Sequence, residues 1–216
     1  MSMARPREFD RDLALERARD AFWARGYEGT SIADLVAALG LASARIYAAF
    51  GSKEDLFREA VGLYEERDGS FVARALAQEP TALKAVERML REAVETYTRP
   101  GRPWGCMVVS AATNCAVEND RVREWLAERR HKQTATIVDR LVQAVRAGEL
   151  RQDTDTDAMG DYVTALMHGL SVQARDGVPE QRLLTMCDLA MQSMRDLIDP
   201  TQEAIIVPNQ SGAESI

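Results

Sequence analysis

The 216-residue chain reads as all-α, with an N-terminal three-helix head and a larger C-terminal helical domain. Three observations predict this. Residues 30–57 contain two short apolar-patterned segments hinged at Gly40, a helix-turn-helix spacing. Ser31/Asp34 and Ser52/Asp55 are two Ser-x-x-Asp capping boxes, each opening a helix. Beyond Ser52 the chain reads as successive helices, and its 46% hydrophobic content suffices for a real core.

The first helix is expected from about Asp10 to Arg25, with Leu15, Ala18 and Phe22 turned inward and Gly26 as its stop. Ile32, Leu35, Val36 and Leu39 give the second helix one buried face. Ile46 and Phe50, four residues apart, anchor the third from beneath. Its other side carries Ser43, Ala44, Arg45 and Tyr47, small or polar residues suited to a groove. In a helix-turn-helix unit this second short helix enters the DNA major groove. The plainer reading is a three-helix core with no ligand, but caps, turn and polar outer face agree on DNA.

After the head, a long helix is expected from Ser52 to about Ala77, weakened locally by Gly62 and Gly69 and stopped near Pro80. Leu83, Val86, Leu90, Val94 and Tyr97 form the next stripe, broken by Arg99-Pro100-Gly101-Arg102-Pro103. Shorter and longer helices follow at about Trp104–Asn114 and Asp120–Ala147. The last two span about Asp155–Arg175 and Pro179–Leu197, and Pro200–Ile216 reads as a loose tail. The expected division is therefore 1–51 for the DNA-binding head, 52–199 for ligand binding and dimerisation, and 200–216 for the tail.

Gly29-Thr30-Ser31-Ile32, Leu39-Gly40-Leu41 and Ile46-Tyr47-Ala48-Ala49-Phe50-Gly51-Ser52-Lys53-Glu54-Asp55-Leu56-Phe57 resemble the DNA-binding head of the TetR family of one-component repressors. The match covers roughly residues 5–60. Gly105-Cys106-Met107 and the stretch from Gly169 to Gly177 resemble one large subgroup of that family. The resemblance implies a homodimeric repressor of a palindromic operator in double-stranded DNA, released by a small-molecule effector, with regulation of its own or a neighbouring gene. It also implies that Tyr47 and Lys53 clamp phosphates. The family pattern usually has a small hydroxyl residue at position 45. Arg45 departs from it, and Ala48 and Ala49 stand where many members carry aromatic or histidine side chains.

Chemistry assigns the remaining contacts. Arg45 can pair bidentately with guanine, or alternatively reach a phosphate, and Ala44 suits a thymine methyl. Thr30 or Ser31, and Lys53, sit at helix starts where anions are favoured. Arg5-Pro6-Arg7 resembles a basic arm for the minor groove, though a solvated terminus is the plainer reading. The formal charge is -7. Residues 1–60 hold nine Lys/Arg against ten Asp/Glu, a net of -1, which leaves -6 for the rest. Between Leu41 and Lys53 there are two basic residues and no acidic one, so local charge favours DNA with a moderate salt dependence.

In the last two helices Met159, Tyr162, Val163, Leu166, Met167 and Leu170 line one face; Leu183, Leu184, Cys187, Ala190, Met191 and Met194 line another. The apolar excess predicts a four-helix dimer bundle about a two-fold axis, with Gly160, Ala165, Gly169 and Ala174 permitting close approach. The candidate effector residues are Tyr64, Phe71, Met89, Trp104, Cys106, Met107, Ser110, Trp125 and Met167, adaptable side chains that are equally consistent with plain core. Cys106, near a helix start and Arg102, permits a second trigger in which an electrophile or oxidant attacks the thiol. If one continuous helix joins Cys106 to Cys115, a disulfide between them is out of reach.

Enzymes lack support: there is no Gly-rich phosphate loop, no G-x-S-x-G and no His-Glu-x-x-His. His131 lies in a basic run on a solvated face, and His168 reads as a satisfied core or interface residue. No cofactor or metal is expected. The three cysteines, the short basic start and the lack of a long apolar run point to the cytoplasm and to no membrane partner. Outside the repressor reading stand an activator, a ligand-independent architectural DNA binder and a helical adaptor.

Overall fold

The computed structural model describes residues 9–111 and 115–197. The basic arm at 5–7, the tail at 200–216 and the end of the helix expected through Asn114 lie outside them. Among the described residues the regular elements are helical. Helices α1 (Arg11–Arg25), α2 (Ile32–Leu39) and α3 (Ser43–Phe50) form the head. Helices α4 (Lys53–Glu66), α5 (Phe71–Gln78), α6 (Ala82–Thr98), α7 (Met107–Ser110), α8 (Asp120–Arg146), α9 (Thr156–Arg175) and α10 (Glu180–Met194) follow, with 3-10 turns before α8 and after α10. Among the described residues no single helix is long and apolar enough to cross a membrane.

The head's caps form as the sequence requires. Asp10 accepts from the Leu13 N–H at 3.0 Å to start α1. Ser31 and Ser52 each complete a reciprocal capping box, with Asp34 and Asp55. Gly40, at φ 69°, closes α2 in the left-handed conformation that glycine adopts without strain. Ala18 and Phe22 are buried as expected, whereas Leu15 is only half-buried and Trp23 joins the core instead. Phe22 meets Phe57 edge-on at 5.1 Å, and Trp23 meets Tyr64 at 4.8 Å. The head's core thus runs continuously into α4, where Leu56, Phe57, Ala60, Val61 and Tyr64 belong to it.

The helix expected from Ser52 to Ala77 is broken at residues 67–70. Gly69 donates to the Tyr64 carbonyl at 2.8 Å, and a side chain there would press within 3.1 Å of the Tyr64 ring. The break also lets Asp68 turn inward. Its buried carboxylate lies 3.4 Å from the fully buried Arg19 of α1 and 3.5 Å from Arg99 after α6. Charge pairing at this corner overrides the local helical pattern.

The helix expected from Trp104 shrinks to the single turn α7. Gly105 has φ 77° and Cys106 is extended, so no helix can begin before Met107. Gly105 is also a junction. Its N–H bonds the Tyr97 carbonyl of α6 at 2.9 Å, and its carbonyl accepts from the Trp23 indole of α1 at 2.8 Å. An added Cβ would lie 2.7 Å from both the Ser171 oxygen and the Arg175 side chain of α9. Arg175 in turn donates to the Trp23 and Ala24 carbonyls, each at 3.2 Å, tying α9 to the end of α1. Since the helix assumed between Cys106 and Cys115 stops at Ser110, the geometric argument against their bridging does not apply. Both are nevertheless free thiols.

In the second domain α6 is sheathed by α5, α9 and α10 around Val86, Met89, Leu90, Val94, Met167 and Leu170. The small residues divide into two groups. Gly160 and Ala174 serve this inner packing: a Cβ on Gly160 would strike Val138 of α8 at 2.4 Å, and Ala174 is buried. Gly160→Val is therefore expected to cost about 1–3 kcal/mol through overpacking against another stiff, branched side chain. Urea unfolding checks this, and an unshifted midpoint would contradict it. Ala165 and Gly169 instead lie on the outer side, with open space around Gly169.

Candidate nucleic-acid interface and effector cavity

The axes of α2 and α3 cross at 90°, within the range of helix-turn-helix units. Ile46 and Phe50 are buried beneath α3, so its opposite side faces outward. Ser43, Ala44, Tyr47 and Ala48 are exposed there. Arg45 is half-buried, its guanidinium 5.3 Å from the centre of the Phe9 ring. Lys53, at the start of α4, holds its ammonium 4.3 Å from the centre of the Tyr27 ring. Desolvation lowers its pKa, and the Glu28 carboxylate works in the opposite direction.

The hydroxyl residues before α2 behave differently. Thr30 is fully buried and its Oγ1 donates to the Gly26 carbonyl at 2.7 Å, so it fixes the α1–α2 turn instead of facing outward. Ser31 is exposed, but its hydroxyl donates to Asp34 at 2.6 Å and accepts from the Asp34 N–H at 3.1 Å. Asp34 also binds Arg25 at 2.6 Å across the helix pair. Hydrogen bonds from Ser31, then the Arg25 charge, hold the Asp34 carboxyl below its usual range.

Below the head lies a cavity of about 50 Å³. Tyr64 and Glu65 of α4, Phe71 of α5 and Tyr97 of α6 form part of its wall. The rest includes Cys106 and Val108 around α7, Arg129, Arg130 and Gln133 of α8, and His168 of α9. Of the nine residues expected around an effector, Tyr64, Phe71 and Cys106 line it. Met89 and Met167 are packed in the second-domain core and Met107 in the head core. Trp104 is exposed. Ser110 donates to the Cys106 carbonyl at 2.7 Å, and Trp125 lies between the Arg58 and Arg129 guanidiniums, at 4.8 and 5.2 Å.

The thiol's titration runs opposite to the direction expected from a helix start. Burial pushes Cys106 up, although the neighbouring Tyr64 hydroxyl and backbone N–H groups of α7 oppose the shift. His168 also differs from a satisfied core residue, because its buried Nε2 has no hydrogen-bond partner. Desolvation, then the Arg130 charge, lowers its pKa. The polar cavity residues were detectable in the sequence: Val122, Leu126, Arg130, Gln133, Ile137 and Leu141 share one helical stripe, so Arg130 and Gln133 interrupt an otherwise apolar buried face.

A right-angled pair of short helices with a polar outer face, set on a helical domain with its own cavity, defines a helix-turn-helix regulator of the one-component class. Residues 14–60 match the model of bacterial regulatory proteins of the tetR family, and residues 82–186 match the tetracyclin repressor-like C-terminal domain. The chain belongs to the TetR family and is a transcriptional regulator. It is 31% identical over 201 residues to the HTH-type transcriptional repressor ComR of Escherichia coli (strain K12), covering 91% of this chain and 94% of that one. The HTH-type transcriptional repressor BdcR of the same organism is 25% identical over 195 residues, with 90% and 94% covered. A cysteine variant of the TetR family transcriptional regulator CifR, complexed with a 26-base-pair double-strand operator DNA, superimposes with a TM-score of 0.84. It shares 40% identity over 88% of this chain and 99% of that chain.

Proposed function

We propose that this chain is a homodimeric repressor that reads a palindromic operator through α3 and releases it when a small molecule occupies the cavity beneath the head. The observation that carries the reading is the outward face of α3, with Ser43, Ala44, Arg45 and Tyr47 over a buried Ile46/Phe50 base. Arg45 reads a base or grips a phosphate, Ala44 meets a thymine methyl, and Tyr47 and Lys53 hold the backbone. Ser31 contributes the N-terminus of α2, while Thr30 acts only by fixing the turn. The relatives named as repressors, and the neighbour bound to operator DNA, support the same assignment. The division into a head ending at residue 51 and an effector and dimer domain over 52–199 is part of this proposal, with α4 packed against both.

Dimerisation is assigned to the outer side of α9 and α10. Tyr162, Ala165, Leu166, Gly169 and Val172 recur at helical spacing on α9, and Met186 and Leu189 continue the patch on α10. A stripe of this kind is what a two-fold bundle buries. Two heads carried by such a dimer match half-sites about one DNA turn (~34 Å) apart.

Two routes connect cavity and head. Helix α4 begins at Lys53 and reaches the cavity at Tyr64, which suits it to act as a transmission element. The Gly105–Ala111 segment gives the second, since Cys106 and Val108 line the cavity while Gly105 holds Trp23 of α1. An effector that fits one arrangement of these elements better than the other shifts the spacing of the heads.

Fluorescence anisotropy on DNA from the gene's own upstream region, with excess random DNA at fixed salt, tests the reading. Arg45→Ala is expected to lose about 1–3 kcal/mol, roughly 5–150-fold, if it contacts a base. Lys53→Gln is expected to weaken binding uniformly and reduce the salt slope by about 1. Binding abolished by random DNA and indifferent to Arg45→Ala would instead mark an architectural binder.

A further inference from the structure

We infer that the cavity takes a small monocarboxylate, with Arg130 as its counter-ion and the Tyr64 hydroxyl and His168 Nε2 as hydrogen-bonding partners; this rests on the repressor reading and names its effector class. Arg130 projects from the buried stripe of α8 and is half-buried. Its guanidinium donates to the Val108 carbonyl at 3.2 Å, and among the described residues no carboxylate lies within ion-pair reach of it. Its neighbour Arg129 is different: Glu65 takes that charge through a bond at 2.7 Å and a second, shorter one. The charged groups lining the cavity are thus Arg129, Arg130 and Glu65, which leaves one cation uncompensated.

Two further groups await the same kind of partner. The Tyr64 hydroxyl is buried beside the Cys106 sulfur without a formed hydrogen bond. A phenol has a donor to offer, and a carboxylate oxygen is a strong acceptor for it. The Nε2 of His168 is likewise buried and unpartnered, and Arg130 is close enough to depress the imidazole's affinity for a proton. A neutral imidazole protonated at Nε2 donates to the second carboxylate oxygen. A half-buried cation without a counter-ion and two buried polar atoms without partners are costly, so a ligand that satisfies all three is strongly selected over one that satisfies none.

The remaining wall sets the ligand's other end. Phe71, Val108 and the Tyr97 ring are apolar, and Met107 and Leu126 belong with Val108 to the head core. About 50 Å³ corresponds to roughly four water-sized spheres. A carboxylate with a tail of one or two carbons, acetate or propanoate, matches that volume and that division between charged and apolar sides. A neutral amide of the same shape carries no charge to compensate Arg130 and one acceptor oxygen where the carboxylate has two, so its N–H₂ is left facing a donor.

The test compares acetate, propanoate and butanoate with their primary amides by isothermal titration on the full chain. Binding by at least one acid, with the matching amide tenfold or more weaker, is the expected result. Arg130→Gln should remove that preference and Arg130→Lys should retain part of it, with circular dichroism confirming that each variant is folded. An amide that binds as well as its acid, or a chain that binds none of the acids, overturns the assignment; because the acid–amide comparison uses the unaltered protein, a variant that fails to fold cannot obscure it. Operator binding is followed in parallel, so a protein that holds operator and ignores every acid loses this assignment alone.

Discussion

A Leu189→Glu chain is expected to behave as a folded monomer that no longer holds operator DNA. Leu189 is 62% exposed on α10, and Val172 and Tyr162, at 46% and 45%, extend the apolar patch across α9. None of these side chains supports the core around α6, so the helices have no reason to unfold when one becomes charged. In a two-fold interface the same substitution appears twice and faces its own neighbourhood. A carboxylate buried there without a partner costs at least as much as losing one of the few dominant interface side chains, about 2 kcal/mol, so two copies forfeit about 4 kcal/mol, roughly a thousandfold in dimer dissociation. Light scattering across a dilution series measures the dissociation, and anisotropy measures the accompanying loss of operator. Leu13→Glu is the control, since Leu13 is an exposed apolar residue on α1, away from this patch. A Leu189→Glu protein that remains dimeric at low concentration would move the interface elsewhere.

The second large effect is expected at the corner where α4 breaks. Asp68→Ala removes a buried carboxylate from the fully buried Arg19. Removing one partner of a buried pair typically costs about 3–5 kcal/mol. Here the lower end applies, because Arg19 keeps Asp20 at 2.7 Å, though that partly exposed carboxylate is shared with Arg102 at 3.1 Å. The urea midpoint should therefore fall substantially. Arg67→Ala, one residue earlier, breaks only an exposed pair with Glu16 and should leave the midpoint nearly unchanged. Equal effects from the two would mean that burial at Asp68 contributes nothing.

The head was legible because local chemistry determines it. Caps at Ser31 and Ser52, the hinge at Gly40 and the stripes beneath α2 and α3 are all encoded within a few residues. The break at 67–70 was legible only as a weak point at Gly69, because the Arg19 that pairs with the inward-turned Asp68 lies half a hundred positions away and is invisible to periodicity. The same holds for Thr30: its hydroxyl looks available in a list of residues, but the carbonyl of Gly26 takes it. Around the cavity, adaptable apolar character marks Tyr64, Phe71 and Cys106 but not the cations Arg129 and Arg130. Arg129-Arg130-His131-Lys132 looked like one solvated face, yet a helix turns 100° per residue, so His131 faces solvent while Arg130 turns inward. A charge on an apolar stripe was the signal to follow.

The junction at Gly105 separates what this protein must keep from what it can change. One residue engages α6 through its N–H and α1 through its carbonyl, and leaves no room for a side chain beside α9. Immediately beyond it, Val108 and Val109 face the cavity from the same short segment. Recognition can therefore drift by altering those walls while the linkage to the reading head stays in place, as a lock may be re-keyed without moving its bolt. A lineage of sensors, or a laboratory library, would diversify 108, 109 and 133 and leave 105 as glycine.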